Sequence, residues 1–241
     1  MIDSTTSHCT RFVIPAKRIF ATLMAITCTL SLLGFLSPLT SEISIENSWL
    51  QKCRSSFIRL FDINGEANIT SWYSSSALLI ASALLFVVTA LKASTADTYV
   101  RLWKFLAIIF LYLSLDETAM IHEMFNEPLS AALHTGGLLF YPWVLVAGVC
   151  LILLLFVYAR FLLDLPSNIR LLFISSGMIF VMGAIGLECL GAAYYDSQGI
   201  TSGLAYRIPM TIEEFFEMTG VAVFIYALMR YLNEHVITDA S

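Results

Sequence analysis

Charged residues are scarce in this sequence. Asp, Glu, Lys and Arg make up 13% of the 241 residues, whereas hydrophobic residues make up 58%. A soluble domain has about 25% charged and about 45–50% apolar residues, so this chain has too few polar groups to cover a surface that faces water. The net charge of −5 also leaves no basic excess for binding a phosphate backbone. These shortages exclude a soluble enzyme, a disordered tail and a nucleic-acid-binding module, and they predict an integral membrane protein.

Several motifs of soluble enzymes are missing as well. The sequence has no Gly-rich phosphate loop, no low-complexity tract and no internal repeat. Its five cysteines are scattered, and no Cys-x-x-Cys pair occurs, so neither a disulfide framework nor a structural zinc site is indicated. The features left to interpret are the apolar runs and the positions of the few charges.

Six apolar segments are long enough to cross a bilayer as helices, which takes about 20 residues each. They lie near residues 19–39, 73–91, 102 into the 120s, 138–159, 171–193 and 212–232. The run 144–158 is apolar on every side, which favours helices over the alternating strands of a barrel. The predicted fold class is all-α: a polytopic bundle of six transmembrane helices over residues 19–232, between tails at 1–18 and 233–241.

Lysine and arginine are distributed unevenly between the predicted loops. With the N-terminus inside, nine of the thirteen basic residues lie on the inner side, so the positive-inside rule predicts that both termini are cytoplasmic. The first segment resembles a signal peptide, but its apolar run exceeds the roughly 7–15 residues of such a signal. We therefore predict a retained helix, in a bacterial inner membrane or another membrane that faces a cytoplasm.

One predicted loop, residues 40–72, is long and lies on the outer side. Its apolar residues recur at helical spacing with basic residues between them: Trp49, Cys53, Phe57 and Leu60 or Phe61, with Lys52, Arg54 and Arg59. This pattern is typical of an amphipathic helix on the membrane surface, and an ordinary folded loop is the alternative. Asn68-Ile69-Thr70 also matches an N-glycosylation acceptor.

Acidic residues are concentrated where a membrane protein accommodates them least well. A charge at the bilayer centre costs about 2.5–3.5 kcal/mol, yet the third, fifth and sixth segments all carry carboxylates. A rise of about 1.5 Å per residue places the acids of all three helices at a similar depth in the outer leaflet. The residues predicted to form this site are Asp116, Glu117, His122, Glu123, Glu188, Glu213 and Glu217.

Two local patterns bear on the geometry of this site. A continuous third helix would place Asp116, Glu123 and Glu127 on one stripe and would turn His122 away from it. Thr211 and Glu214 match a capping box. The acids at the start of the sixth segment, Glu213 and Glu214, therefore have a structural alternative as first-turn residues.

No basic residue lies inside these three segments at the depth of the acids. Repulsion among the carboxylates then has to be relieved by protons or by a bound cation. Carboxylates combined with an imidazole suit Mg, Mn, Ca or non-haem iron. We predict metal ligation by the seven residues of the site, with catalysis by Asp116, His122 and Glu123.

Three functions are compatible with such a site. The first is a metal-dependent, hydrolase-like enzyme in the membrane that acts on a lipid or lipid-linked substrate. The second is a cation- or proton-coupled transporter or channel, although the inner stretches 102–113 and 221–228 offer almost no polar path. The third is a non-catalytic assembly subunit whose acids make polar helix contacts. The expected partners are the bilayer and a lipid, with no nucleic acid, and the sequence leaves the oligomeric state open.

Overall fold

The fold is built from helices. The computed structural model describes residues 13–63, 65, 67–199 and 203–236, and within these ranges it is all-helical, with no strands. Of the predicted tails at 1–18 and 233–241, residues 1–12 and 237–241 lie outside the described residues. The α-helices are α1 (Ala16–Leu36), α2 (Ser48–Phe61), α3 (Ile69–Ser94), α4 (Val100–Ala119), α5 (Asn126–Leu133), α6 (Trp143–Asp164), α7 (Ser167–Val181), α8 (Glu188–Gln198) and α9 (Leu204–Tyr231).

Five helical segments of the described chain are long and apolar enough to cross a membrane. They are Ala16–Ser41, Ile69–Ser94, Trp143–Asp164, Ser167–Gln198 and Leu204–His235. A sixth candidate arises if α4 and the segment His122–Leu133 count as one span, because these two are bent by 77° at a short break. The predicted all-helical fold is confirmed, with five or six candidate spans rather than six continuous ones.

The prediction of a continuous third helix is wrong. α4 ends at Ala119, and Met120 adopts the left-handed conformation with φ of 52°. The N–H of Met120 donates to the Asp116 carbonyl at 2.8 Å, and the Asp116 carboxylate accepts from the backbone N–H of His122 at 2.9 Å. The carboxylate thus stabilises the turn that follows the helix. Asp116 and Glu123 consequently share no helical stripe. The same break separates Asp116 from Glu127, the third residue of the predicted stripe.

The sixth segment begins earlier than predicted. α9 starts about two turns before Thr211, and Pro209 lies inside it. Thr211 is therefore no N-cap, and its hydroxyl has no hydrogen-bond partner within the described residues. The capping-box interpretation is wrong, because Glu213 and Glu214 lie well inside the helix rather than in its first turn.

α9 is the central helix of the bundle. It contacts α1, α3, α7 and α8, and aromatic rings fix its packing against α4. Trp103, which is 1% exposed, stacks on Tyr231 and meets Phe161 edge-on. Phe110 stacks on Phe224 with ring centroids 4.5 Å apart. This half of the bundle is an apolar core.

The acidic residues lie at the other end of the bundle, where α3, α6 and α9 begin and α4 and α8 finish; we call it the site end. The helices run antiparallel there. The Ser75 hydroxyl of α3 donates to the Ser114 carbonyl of α4 at 2.7 Å. Gly220 of α9 lies against α7, since a Cβ on it would be 2.8 Å from the backbone N of Phe180. These close contacts fix how far the helices are shifted along one another, and this places the acids of different helices at the same level.

A helix and a tight turn occupy the long predicted loop. α2 has no buried residue. After it, Asn68 caps α3 and donates through Nδ2 to the carbonyls of Asp62 and Gly65, at 2.6 and 2.5 Å. Asn68 is 8% exposed, so the asparagine of the glycosylation motif is a buried structural residue with its amide already bonded.

Candidate functional site

The break after α4 brings Asp116 and His122 together. His122 Nδ1 lies 2.9 Å from Asp116 Oδ2, and the His122 backbone N–H donates to Oδ1. The same carboxylate therefore fixes both the backbone and the ring of His122. The side chains are 14% exposed for Asp116 and 30% exposed for His122, so the pair is sheltered while the imidazole still reaches the surface.

Trp143, the first residue of α6, connects His122 to Glu188. The rings of His122 and Trp143 have centroids 4.6 Å apart, and the indole N–H of Trp143 donates to Glu188 Oε1 at 3.3 Å. The backbone N–H of Trp143 donates to Asn126 Oδ1 at 3.2 Å. The tryptophan is thus held at both ends between the segment after α4 and the start of α8.

A group of carboxylates lies beyond Trp143. Glu213 of α9 is 9% exposed, and its carboxyl lies close to that of Glu188. Its Oε2 accepts no hydrogen bond from the described residues. Glu217 is within electrostatic range of Glu188, Glu213 and two further acids, Glu117 of α4 and Glu214 of α9. Acids from three helices therefore interact at one place.

Gly183 allows α9 to approach this group closely. A Cβ at this position would lie 2.8 Å from the Glu213 carbonyl oxygen and 2.9 Å from Glu217 Cγ. Gly183 belongs to a π-helical stretch, Met182–Leu187, which ends directly before Glu188. Such bulges in α-helices often occur at functional sites. The bulge and the glycine together place Glu188 beside Glu213.

Within the described chain, no basic residue neutralises this group of carboxylates. Arg207 belongs to α9 rather than to a loop, and among the described residues no salt bridge joins it to an acid. Its Nη1 is buried without a hydrogen-bond partner there. Near the same site, burial raises the pKa of Tyr141 to about 12, so this phenol stays protonated and neutral.

The structure separates the seven predicted ligands into three sets. No group of three or more His, Cys, Asp or Glu side chains among the residues described is arranged to hold a metal ion. Asp116 and His122 form a pair. Glu123 lies at an exposed position. The remaining four form the group of carboxylates: Glu117, Glu188, Glu213 and Glu217. Glu123 remains within electrostatic range of His122.

Sequence reasoning missed two residues of this network. The first is Trp143, whose indole connects His122 to Glu188. The second is Gly183, which lies against the part of α9 that carries Glu213 and Glu217. A tryptophan at a helix start and a glycine in an apolar helix carry no chemical signal in a single sequence.

The fold and the site define a helical protein with apolar helices that could span a membrane and with an acidic group at one end. Residues 19–232 match a family model described as Domain of unknown function (DUF8692), so the chain belongs to that family. Searches of curated proteins and of solved structures give no significant match.

Proposed function

We propose that this protein is a multipass membrane protein, with both termini in the cytoplasm, that hydrolyses a lipid or lipid-linked substrate at the outer membrane boundary. His122 is its acid–base group and Asp116 orients it. The observation that carries this proposal is the Asp116–His122 pair, formed at a break between two apolar helices. A histidine held at one nitrogen by a carboxylate is the usual arrangement of a catalytic base or a metal-binding imidazole.

The hydrogen bond to Asp116 defines the chemistry that His122 offers. With Nδ1 donating to the carboxylate, Nε2 keeps its lone pair and can accept a proton from water. The resulting hydroxide attacks the carbonyl carbon or phosphorus of the substrate, and the bond to the leaving group breaks. Nε2–H then returns its proton to the leaving oxygen or nitrogen, which restores the neutral ring.

A divalent metal would strengthen this chemistry. Mg, Mn, Ca or non-haem iron suits carboxylates combined with one imidazole, and a bound metal polarises the bond to be cleaved. Glu188 and Glu213 are the residues best placed to hold it, because they lie close together and Nε2 of His122 has to stay free for the proton. Since no three ligands are preassembled in the described chain, binding requires side chains to rotate.

The substrate class follows from what surrounds the site. Large apolar side chains are exposed along the helices next to it, among them Leu115 at 58% and Met124 at 73%. Such a surface suits acyl chains rather than a water-soluble molecule. A lipid in the adjoining leaflet could therefore present its headgroup linkage to His122 without leaving the membrane.

The proposal is tested with the full chain in nanodiscs, incubated with lipids that carry ester, amide or phosphodiester linkages. Wild type should hydrolyse one class, and His122→Gln should lower the rate by about 10²–10⁴-fold, the usual contribution of an acid–base group. Metal analysis of the same preparations, before and after a chelator, shows whether the reaction needs a divalent ion.

His134→Asn is the matched control, because His134 lies outside the network, at the left-handed end of α5. Asparagine tolerates that conformation, so this variant should keep wild-type activity. If folded wild type hydrolyses none of the three linkage classes, or if His122→Gln is as active as His134→Asn, the proposed reaction is wrong.

A second candidate, proton-coupled transport, is favoured by the contact of Glu188 with Glu213. Repulsion between two neighbouring carboxylates favours a state in which one of them holds a proton. The buried half of α9, including Val221, Ile225 and Leu228, supplies no polar route onward. Proton flux into liposomes that is lost in Glu213→Gln and retained in Glu123→Gln would favour this candidate over hydrolysis.

A further inference from the structure

α2 presents an exposed apolar face, on which the ring of Phe57 meets that of Phe61 in the same helix with centroids 4.9 Å apart. Its exposed stripe contains Trp49 at 67%, Phe57 at 42% and Leu60 at 42%, with the exposed Cys53 among them. These positions are three to four residues apart, so they lie on one side of the helix. An exposed face of this kind marks a contact with a membrane or with another protein.

A different face of α2 contacts the bundle. Arg54, Ile58 and Phe61 are its partly buried positions, and they form a second stripe by the same spacing. Phe61 packs against Leu30 and Tyr73 within the small apolar cluster at the site end. The apolar stripe is therefore exposed although the helix is docked.

Two tight contacts fix the orientation of α2. Arg54 Nη1 donates to the carbonyls of Thr40 and Ile43, at 3.0 and 2.5 Å. At the other end the chain crosses α1 at Gly34, where a Cβ would lie 2.9 Å from the Phe61 carbonyl oxygen. The exposed stripe is thus held in one direction.

The charges of α2 are all of one sign. It contains Lys52, Arg54 and Arg59 and no acidic residue, in a chain whose net charge is −5. Arg54 is engaged with backbone carbonyls. Lys52 and Arg59 are seven residues apart, on a face away from the apolar stripe, and both are exposed.

The position of α2 along the chain sets its depth. The apolar segment before it ends at Ser41, and the one after it begins at Ile69. Both flanks of α2 therefore lie where candidate spans meet the membrane boundary. A helix there with an apolar stripe and basic residues on another face matches the pattern of interfacial helices.

We infer that α2 lies on the bilayer surface at the site end, with the stripe Trp49, Cys53, Phe57 and Leu60 between the acyl chains and with Lys52 and Arg59 on anionic lipid headgroups. Long basic side chains reach the phosphates while their methylenes stay in the apolar layer. This inference concerns a surface that the proposed reaction does not use, so it stands whether or not the protein hydrolyses lipids.

Depth is tested with the full chain in lipid vesicles. The other four of the five cysteines are replaced by alanine, and a fluorophore is attached to Cys53. The matched control carries the label on Ser55→Cys in a Cys53→Ala background, about 200° around the same helix at 100° per residue. We expect brominated lipid to quench the label at 53 and an aqueous quencher to quench the label at 55.

Lipid charge is tested with the Cys53 label and spin-labelled lipids. An anionic lipid should quench about fivefold more strongly than a zwitterionic one, the factor that one basic residue contributes at a membrane surface. The double variant Lys52→Gln/Arg59→Gln should abolish this preference, whereas Arg101→Gln, in the first turn of α4 at the opposite end, should retain it.

Three results would overturn the inference. Equal quenching of the labels at positions 53 and 55 by the aqueous quencher would show that both faces of α2 are exposed to water. Protection of the Cys53 label from lipid and aqueous quenchers alike would show that a protein surface, such as a second copy of the chain, covers the stripe. An unchanged anionic preference in Lys52→Gln/Arg59→Gln would exclude these two residues as its source.

Discussion

At residue 183 the absence of a side chain allows the π-helical stretch to lie directly against α9. The atoms that a Cβ would meet include the Glu213 carbonyl oxygen, at 2.8 Å, and the Glu217 backbone N, at 3.2 Å. Backbone atoms of a central helix move less readily than the end of a side chain. Gly183 therefore determines how near Glu188 comes to the acids of α9.

Gly183→Ala should destabilise the protein by about 1–3 kcal/mol, the usual cost of an added group in a packed interior. Thermal unfolding in detergent measures this effect. Gly177→Ala is the control, because no atom lies within 4 Å of a Cβ there, and alanine in a helix is favoured over glycine by about 0.5–1 kcal/mol. Equal stability of the two variants would contradict the close contact at Gly183.

Single residues of the site were predictable only where their side chains are ionisable. Glu188, Glu213 and Glu217 were identified because carboxylates in apolar segments are costly, and the structure brings these three into one group. The contact between Asp116 and His122 was not predictable. It depends on a break at Met120, which is neither proline nor glycine and gives no signal in the sequence.

Among the structural elements, the turn before α3 depends on one asparagine. Asn68 Oδ1 accepts from the N–H groups of Thr70 and Ser71, at 2.9 and 3.0 Å. Its Nδ2 donates to the carbonyls of Asp62 and Gly65. One side chain thus caps α3 and also holds the turn between α2 and α3 in place.

Asn68→Ser keeps a capping oxygen but removes both amide donors. We expect a loss of about 1–3 kcal/mol in unfolding free energy, because the half-buried Gly65 carbonyl loses its Asn68 partner and the Asp62 carbonyl keeps only the Gly65 N–H. Asn47→Ser is the matched control, since Asn47 is exposed and caps α2 through its oxygen, a role that serine fills about equally well. Chemical denaturation of both variants compares them, and equal losses would refute the double role of Asn68.

The elements themselves were largely predictable, and their ends were not. Apolar runs identified every candidate span, because length and hydropathy determine which helices can cross a bilayer. The start of α9 was misplaced because Pro209 and Thr211 resemble a helix start, whereas the helix begins earlier and contains both. A helix that packs on several neighbours can extend through a proline whose local cost is offset by tertiary contacts.

For the whole molecule, the orientation in the membrane remains a prediction from the basic residues. It is tested in intact cells with a thiol reagent that does not cross membranes. Ser55→Cys on α2 should react without permeabilisation, because Ser55 is exposed at the site end. Thr95→Cys, in the exposed turn after α3, should react only after permeabilisation. The reverse pattern would invert the topology.

The packing of α9 has a consequence for how the protein is made. In the most apolar window of the segment Leu204–His235, 61% of the residues are buried, against 17% for Trp143–Asp164. Yet the ribosome synthesises α9 after every other helix described. Until it emerges, the faces of α1, α3 and α7 that contact α9 lack this partner. Asn233, just beyond α9, then bonds to both backbone groups of Ile14, at 3.0 and 2.9 Å. The packing of α1, α3 and α7 around α9 can therefore be completed only after the last of these helices has been made.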